Sequence, residues 1–137
     1  MIWYSNNILV YSSVVFISNF INARLHGHTT YSTWFYVLTV TSILVHGFFS
    51  ESLIMNIIDK IPIIAIVTMG GLILFEKAQF NAPSLIALST FICVCYLYCY
   101  GYAIKQYCFD PDIYISKQYH AILHFISSIG HHAIVFA

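Results

Sequence analysis

Long apolar runs separated by short polar stretches dominate the chain, and this pattern predicts helices that span a membrane. A spanning helix needs about 20 mostly apolar residues. Five segments come near that length, at residues 8–23, 31–49, 59–75, 83–103 and 117–137. The longest connection contains FDPD, whose Asp-Pro pair is typical of a turn. We therefore expect an all-α fold, a polytopic transmembrane helical bundle of about five helices, in one domain over residues 1–137.

The pattern leaves some boundaries of these segments open. Residues 52–58 could extend the second helix or lie along the membrane interface before the third helix begins. Asp59 stands shortly before Pro62, so it could be the N-cap of the third helix, with proline in the first turn. The N-terminal stretch MIWYSNN lacks the basic region of a cleavable signal peptide, so we expect the first apolar run to be retained.

The composition also favours a membrane protein. Only 7% of the residues are charged and 60% are hydrophobic, with a mean hydropathy of +0.81, whereas soluble domains carry roughly 25% charged residues. The formal net charge is zero, so the composition gives no indication of nucleic-acid binding. The few basic residues divide almost evenly between the two sides of the predicted bundle, so they do not fix its orientation. We expect a multi-pass integral membrane protein, of an endomembrane such as the ER or Golgi in a eukaryotic or viral setting.

Polar residues from three of the predicted helices are expected to meet on one side of the membrane. His120 and His124 are four residues apart, so they share a helix face about 6 Å apart along the axis. Ser42 and His46 have the same spacing near the end of the second segment, and Asp59 begins the third. Because consecutive spanning helices alternate in direction, all five residues fall in the same leaflet. Burying such groups is costly unless they have partners, so their coincidence indicates a functional site.

Three imidazoles with a carboxylate and a hydroxyl nearby are typical of a zinc site. Three protein ligands and one open position form the usual catalytic arrangement, and a zinc-bound water has a pKa of about 7. A neighbouring carboxylate such as Asp59 can orient that water or accept its proton. The alternative is that the histidines are hydrogen-bonded packing residues and that Ser42 only joins helices. The residues by themselves leave both interpretations open.

The other histidines, a glycine pair and the cysteines are predicted to be structural. His131 shares a helix face with His124 but lies about 10 Å further along the axis. We expect Gly70 and Gly71 to allow close helix packing. The histidines expected near the membrane interfaces are His26, His28, His131 and His132. The cysteines form no CxxC pair and are expected to be small packing residues: Cys93, Cys95, Cys99 and Cys108.

The order and spacing of the polar residues resemble one superfamily of membrane proteins. The chain reads SILVH from Ser42 to His46, DKIP from Asp59 onward, and HAILH from His120 to His124. These motifs are similar to those of the superfamily that joins alkaline ceramidases with adiponectin and progestin receptors, often called CREST. Its members have seven helices, with Ser-x-x-x-His in the second, Asp at the start of the third and His-x-x-x-His in the last. The resemblance covers the first three segments and the last one.

Smaller similarities and several departures accompany these motifs. Ser18 and Asn19 resemble a Ser-Asn pair in the first helix of ceramidases. Two of the seven helices have no counterpart, and the missing pair would lie between the third segment and the last. Lys60 and Ile63 stand where ceramidases usually have an acidic residue and a methionine. The stretch MIWYSNNILVYSS has no carboxylate, so the calcium site of alkaline ceramidases is not expected here.

The resemblance implies a zinc-dependent hydrolase that acts on amide bonds of ceramide-like N-acyl lipids. By this resemblance His46, His120 and His124 would hold zinc, Asp59 would orient or deprotonate the bound water, and Ser42 would help to stabilise the oxyanion. The lipid substrate would reach the site from the bilayer.

Other functions remain open on the sequence. Histidines from two helices at matching depth can bind a b-type haem, although haem would leave Asp59 and Ser42 without a role. A shortened homologue could instead be non-catalytic and keep a structural zinc, or the polar groups could only hold the helices together. Self-association of so small a bundle would close its cavity, so a homo-oligomer is a further hypothesis.

Overall fold

A computed structural model describes residues 2–77 and 79–137, with side chains from Ile8 onward. Every regular element in these ranges is helical, as the all-α prediction requires. A π-helical segment covers Tyr96–Tyr100, and a short 3-10 turn covers Tyr107–Phe109. The α-helices are α1 (Ile2–Ser13), α2 (Phe16–Leu25), α3 (Thr29–Gly47), α4 (Leu53–Lys77), α5 (Ala82–Cys95), α6 (Gly101–Ile104) and α7 (Ile113–Phe136).

The last helix, α7, lies at the centre of the bundle. It packs most extensively against α5 and also contacts α1, α2 and α4, while α3 packs against both α2 and α4. In lipid, helices are held together by van der Waals packing and interhelical hydrogen bonds, because exclusion of water supplies little driving force there. The main cluster of buried side chains lies between α2, α3, α4 and α7: Phe16, Ala23, Tyr31, Phe35, Leu38, Ile66 and Val135.

The first apolar run forms two helices, where the sequence predicts one over residues 8–23. α1 ends at Ser13 and α2 begins at Phe16, with a short turn between them. The hydroxyls of Ser12 and Ser13 both donate to the Leu9 carbonyl, at 3.1 and 2.7 Å. Serine hydroxyls that bond back in this way often bend helices. The adjacent serines therefore account for the break.

The third predicted helix begins at Leu53 rather than at Asp59. Residues 52–58 neither extend α3 nor form a separate interfacial segment, because all but the first belong to α4. The Ser52 hydroxyl accepts a backbone N–H of the first turn at 3.3 Å and so acts as the N-terminal cap. Asp59 is buried within the helix, and Pro62 is also inside it. The N-cap prediction for Asp59 is therefore wrong, because it took an interior proline for a first-turn proline.

The last two predicted segments are in the expected places with small changes. α5, the π-helical segment and α6 together cover the fourth segment. α7 begins before residue 117, because the Asp112 side chain accepts the Tyr114 N–H at 2.9 Å and caps the helix at Ile113. The predicted FDPD turn is also present, since the Asp110 carboxylate accepts the Asp112 N–H at 2.8 Å.

Three helical segments of the described chain are long and apolar enough to cross a membrane, which indicates a membrane protein. These segments are Ile8–Leu25, Leu53–Lys77 and Ala82–Ile104. α3 and α7 fall outside this group because many of their residues are polar. Several of those polar side chains are turned inward, whereas large apolar residues such as Leu44 and Phe125 are exposed. The inward-facing polar residues of α3 and α7 are Ser32, Thr39, Ser42, His124 and Ser128.

The two adjacent glycines of α4 have different surroundings. A Cβ atom on Gly70 would lie 3.0 Å from Ile134 Cδ1 and 3.0 Å from the Tyr31 hydroxyl. The expectation of close helix packing is therefore confirmed for Gly70. A Cβ atom on Gly71 would have no atom within 4 Å, so this glycine borders open space instead.

This difference predicts opposite effects of the same substitution at the two glycines. Gly70→Ala should destabilise the bundle by about 1–3 kcal/mol, the usual cost of overpacking. Gly71→Ala should be neutral or stabilise it by up to about 1 kcal/mol through higher helix propensity. Thermal unfolding of both variants in the same detergent measures the effect. Equal melting temperatures for the two variants would contradict the packing described for α4.

Candidate metal centre

Three histidines converge at one end of the bundle. His46 lies near the end of α3, and His120 and His124 lie on one face of α7. Each offers a ring nitrogen, and the three nitrogens lie within 4.8 Å of one another. The ring centroids are 5.1, 5.7 and 4.9 Å apart. Tetrahedral coordination with bonds of about 2.0–2.1 Å places ligand nitrogens about 3.3 Å apart. Small side-chain rotations would therefore bring all three onto one metal ion.

The His46 ring has a buried nitrogen without a partner. Its Nε2 atom is shielded from solvent and has no hydrogen bond to any described residue. An unpaired buried polar group costs about 1–3 kcal/mol, and folded proteins retain few of them without a reason. A metal ion bound to this nitrogen would remove that cost. The residues present therefore fit a metal ion held by three imidazoles.

Ser12 of α1 orients the His124 ring. Its hydroxyl lies 2.8 Å from His124 Nδ1 and donates to the Leu9 carbonyl at 3.1 Å. We assign the hydroxyl proton to the bond with Leu9, so that the Nδ1–H group of His124 donates to Ser12. The proton on Nδ1 leaves Nε2 with a free lone pair. A hydrogen bond to the second ring nitrogen is what metal-binding histidines usually have, since it sets the tautomer and the ring orientation.

Asp59 lies close to His46 in a setting of hydroxyl groups. Its side chain is 4% exposed and close enough to His46 for an electrostatic interaction. Thr41 and Ser42 both donate to its Oδ1 atom, at 2.7 and 2.9 Å. Because both of these bonds go to one oxygen, the other oxygen remains available to accept a proton. The Ser42 hydroxyl thus positions the carboxylate, whereas the family resemblance implies that it stabilises an oxyanion.

The structure brings together the site residues that the sequence singled out, and it adds two more. The predicted residues are Ser42, His46, Asp59, His120 and His124, and they lie in one region of the bundle. Sequence reasoning missed Ser12 and Thr41. Ser12 stands inside an apolar run and Thr41 directly precedes Ser42. A search for every hydroxyl group on the side of the predicted bundle where the histidines fall could have found both.

His131 packs against other helices inside the bundle, and its predicted position near a membrane interface stays a prediction. Its ring packs edge-on against Phe35, with centroids 5.1 Å apart. Its Nδ1 atom lies 2.5 Å from the Tyr31 hydroxyl, and Tyr31 is itself 1% exposed. His131 is therefore part of the interior of the bundle, where the central position of α7 places it.

The Ser-Asn pair of α2 contacts α7 through hydrogen bonds. Asn19 and Ser128 form two of them: the Asn19 amide donates to the Ser128 carbonyl at 3.0 Å, and the Ser128 hydroxyl donates to the Asn19 side chain at 2.6 Å. His132 Nδ1 accepts a hydrogen bond from the Asn22 amide at 2.9 Å, and its Nε2 atom lies 2.9 Å from the Ser18 hydroxyl. Both nitrogens of His132 thus have partners, so its role in the bundle is packing.

Neither the cysteines nor the two histidines of the α2–α3 connection belong to the group of three histidines. Cys93, Cys95, Cys99 and Cys108 are all free thiols. Burial raises the pKa of the Cys108 thiol, in the turn before α7, to about 11. His26 is exposed and His28 half-buried. Partial burial, with smaller contributions from the Lys77 and His26 charges, lowers the pKa of His28.

We predict that Ser12→Ala weakens metal binding about 10–100-fold, the usual effect of removing a group that orients a metal-binding histidine. The matched control is Ser13→Ala, because Ser13 makes the same bond to the Leu9 carbonyl but none to His124. Competition with a fluorescent zinc chelator measures both affinities. Equal affinities for the two variants would contradict the orienting role of Ser12.

The comparisons with known proteins add no assignment to this geometry. No family model matches the chain, and no curated protein or solved structure matches it either. The function must therefore be argued from the site itself.

Proposed function

We propose that the protein is a multi-pass membrane hydrolase that binds zinc through His46, His120 and His124 and cleaves the amide bond of N-acyl, ceramide-like lipids. The observation that carries the metal site is a group of three imidazoles that each offer a ring nitrogen within 4.8 Å of the others, with the His46 Nε2 atom buried and unpaired. The order and spacing of the motifs, which resemble those of alkaline ceramidases, support the choice of reaction.

Multi-pass insertion is supported by the distribution of polar side chains. Ser42 and His124 are buried inside the bundle, while the outer positions of α3 and α7 carry large apolar residues such as Leu44 and Phe125. A helix of this kind has low average hydropathy but a lipid-compatible outer surface. We propose that α3 and α7 cross the membrane with the other helices, in an endomembrane if the source is eukaryotic or viral.

Zinc is the metal that suits this ligand set best. Three neutral imidazoles suit borderline metals, and three protein ligands with one open position are typical of catalytic zinc. When bound, zinc would supply a water of lowered pKa and polarise the carbonyl of the substrate.

The protein's own residues would supply the proton transfers and the orientation. The free oxygen of Asp59 can accept a proton from the attacking water and later return it to the leaving amine. Thr41 and Ser42 hold the other oxygen and thereby fix the direction of the carboxylate. Water adds to the amide carbon, the C–N bond breaks, and the products are a fatty acid and an amine. Burial of Asp59 strengthens these interactions because the surroundings have a low dielectric constant.

The geometry disfavours haem. A porphyrin ring must lie between its two axial histidines, whereas the three imidazoles are in mutual contact, with centroids 4.9–5.7 Å apart. The remaining alternative is a non-catalytic homologue in which the same three histidines hold a structural zinc. This alternative shares the metal site and differs only in turnover.

The test combines metal analysis with an assay. The protein, purified in mild detergent, is incubated with an N-acyl sphingosine that carries a fluorescent acyl chain, and the release of the fatty acid is measured. We expect hydrolysis that stops on treatment with a strong zinc chelator and returns when zinc is added. Bound zinc without hydrolysis would support the structural alternative. A protein that binds no zinc would overturn both, and bound iron with a Soret band would indicate haem.

A further inference from the structure

A cavity lies between α4, α5 and α7, away from the three histidines. Its volume is about 280 Å³. α4 and α5 each pack against α7, whereas the two make few contacts with each other, so a gap remains between them. Gly71 of α4 and Ala87 of α5 line this gap and add almost no side chain to fill it. The cavity thus follows from small residues at the point where two helices diverge.

The cavity opens on the outer surface of the bundle. Val67, Leu88 and Phe91 line it and are 40%, 49% and 50% exposed. In a membrane these positions face hydrocarbon, so lipid chains are the molecules with direct access. An apolar cavity of roughly 150 Å³ accommodates benzene, so this one has room for a segment of an acyl chain of on the order of ten carbons.

Two polar groups stand on the α7 wall of this largely apolar cavity, and on α5 the Thr90 hydroxyl, which also lines it, donates to the Ala87 carbonyl at 2.9 Å. Ser127 and His131 are four residues apart, so they share one helix face, and both line the cavity. Among the described residues, the Ser127 hydroxyl has no hydrogen-bond partner, and the His131 ring is bonded only to the Tyr31 hydroxyl. An apolar cavity with a few placed polar groups is the usual form of a small-molecule site.

The two polar groups favour a headgroup that accepts hydrogen bonds. The Tyr31 hydroxyl lies 2.5 Å from His131 Nδ1, and we assign the phenol as the donor because it is more acidic than a neutral imidazole N–H. His131 therefore carries its proton on Nε2, so it can donate to a ligand, as can the Ser127 hydroxyl. Two donors on one wall suit a carboxyl group, whose oxygens accept hydrogen bonds.

We propose that this cavity binds the chain of a single-chain lipid with an accepting headgroup, such as a fatty acid, with the head at Ser127 and His131. The site is separate from the three histidines. Its polar groups are on a different part of α7, and His124 instead faces Ser12 of α1. The proposal therefore does not depend on the presence of a metal or on hydrolysis.

The test is photo-crosslinking in phosphatidylcholine vesicles with palmitic acid that carries a diazirine on its chain. Adducts are located by mass spectrometry. We expect labelling of the cavity walls on α4, α5 and α7. A diazirine-bearing long-chain amine, which offers donors instead of acceptors, should label these walls at least tenfold less.

Two variants and one control make the test specific. Gly71→Leu should fill the cavity without a backbone clash, since no atom lies within 4 Å of the new Cβ, and should reduce labelling at least tenfold. Ser127→Ala should reduce it several-fold while the cavity remains. Leu72→Phe is the matched control, because Leu72 is 56% exposed and does not line the cavity, and labelling should be unchanged.

Three outcomes would overturn the proposal. The first is labelling of Gly71→Leu equal to the wild type. The second is equal labelling of the walls by a diazirine-bearing phosphatidylcholine, which would indicate general lipid contact. The third is a crosslinked second copy of the chain in the cavity in place of the probe. The metal content of Gly71→Leu should equal that of the wild type, so a failure here can be distinguished from a failure of the proposed hydrolase.

Discussion

Purified in mild detergent, the protein is expected to carry about one zinc ion per chain, and the His124→Ala variant less than about a tenth of that. Removal of His124 leaves two imidazoles of the three and deprives Ser12 of its partner on α7. Two neutral imidazoles hold zinc far less tightly than three, because every ligand contributes to the binding free energy. Elemental analysis of both proteins after gel filtration measures the difference.

The matched control for this prediction is His26→Ala. His26 is exposed in the connection between α2 and α3 and lies outside the group of three, so this variant should retain its full metal content. Circular dichroism should give the same helix content for all three proteins. A His124→Ala variant that still binds one zinc, or a wild type that binds none, would disprove the metal centre.

Conversion of Asp59 to asparagine should lower the turnover of the N-acyl substrate by about 10²–10⁴-fold, the usual contribution of a general base. Asparagine has nearly the same shape, and its carbonyl oxygen can still accept the hydrogen bonds from Thr41 and Ser42. It cannot accept a proton from water. The zinc content should stay unchanged, since Asp59 lies outside the group of three imidazoles.

Glu51→Gln is the control for this substitution. Glu51 is an exposed carboxylate in the connection between α3 and α4, so its conversion to an amide should leave turnover unchanged. Measurements of kcat and of bound zinc on the same preparations separate loss of the base from loss of the metal. Turnover of Asp59→Asn within about threefold of the wild type would exclude Asp59 as the base.

Much of the candidate site was predictable from the sequence because it depends on the spacing of residues along a helix and on the side of the bundle where they fall. The i, i+4 spacing places Ser42 with His46, and His120 with His124, on shared faces of any α-helix. The alternation of helix direction then brings the end of α3, the start of α4 and the start of α7 to the same side. Neither argument needs a precise helix boundary. The predicted grouping of the site residues was therefore unaffected by the prediction that α4 begins at Asp59 rather than at Leu53.

Helix boundaries were less predictable because they depend on individual hydrogen bonds. The break after Ser13 follows from two hydroxyls that both bond to the Leu9 carbonyl, and in another setting the same serines would point to a neighbouring helix. Pro62 is compatible with a first turn and, in lipid, also with a helix interior. The cap by Ser52 decides between the two.

The sequence by itself determined the all-α class, the approximate helical segments and the residues that could form a metal site, since apolar run length and helical periodicity are local properties. Only the tertiary structure decided which nitrogen lacks a partner, that Ser12 orients His124, and that Ser42 bonds to Asp59. It also decided that Gly70 is packed closely while Gly71 borders a cavity. These features depend on distances between side chains far apart in the chain, and no local pattern contains those distances.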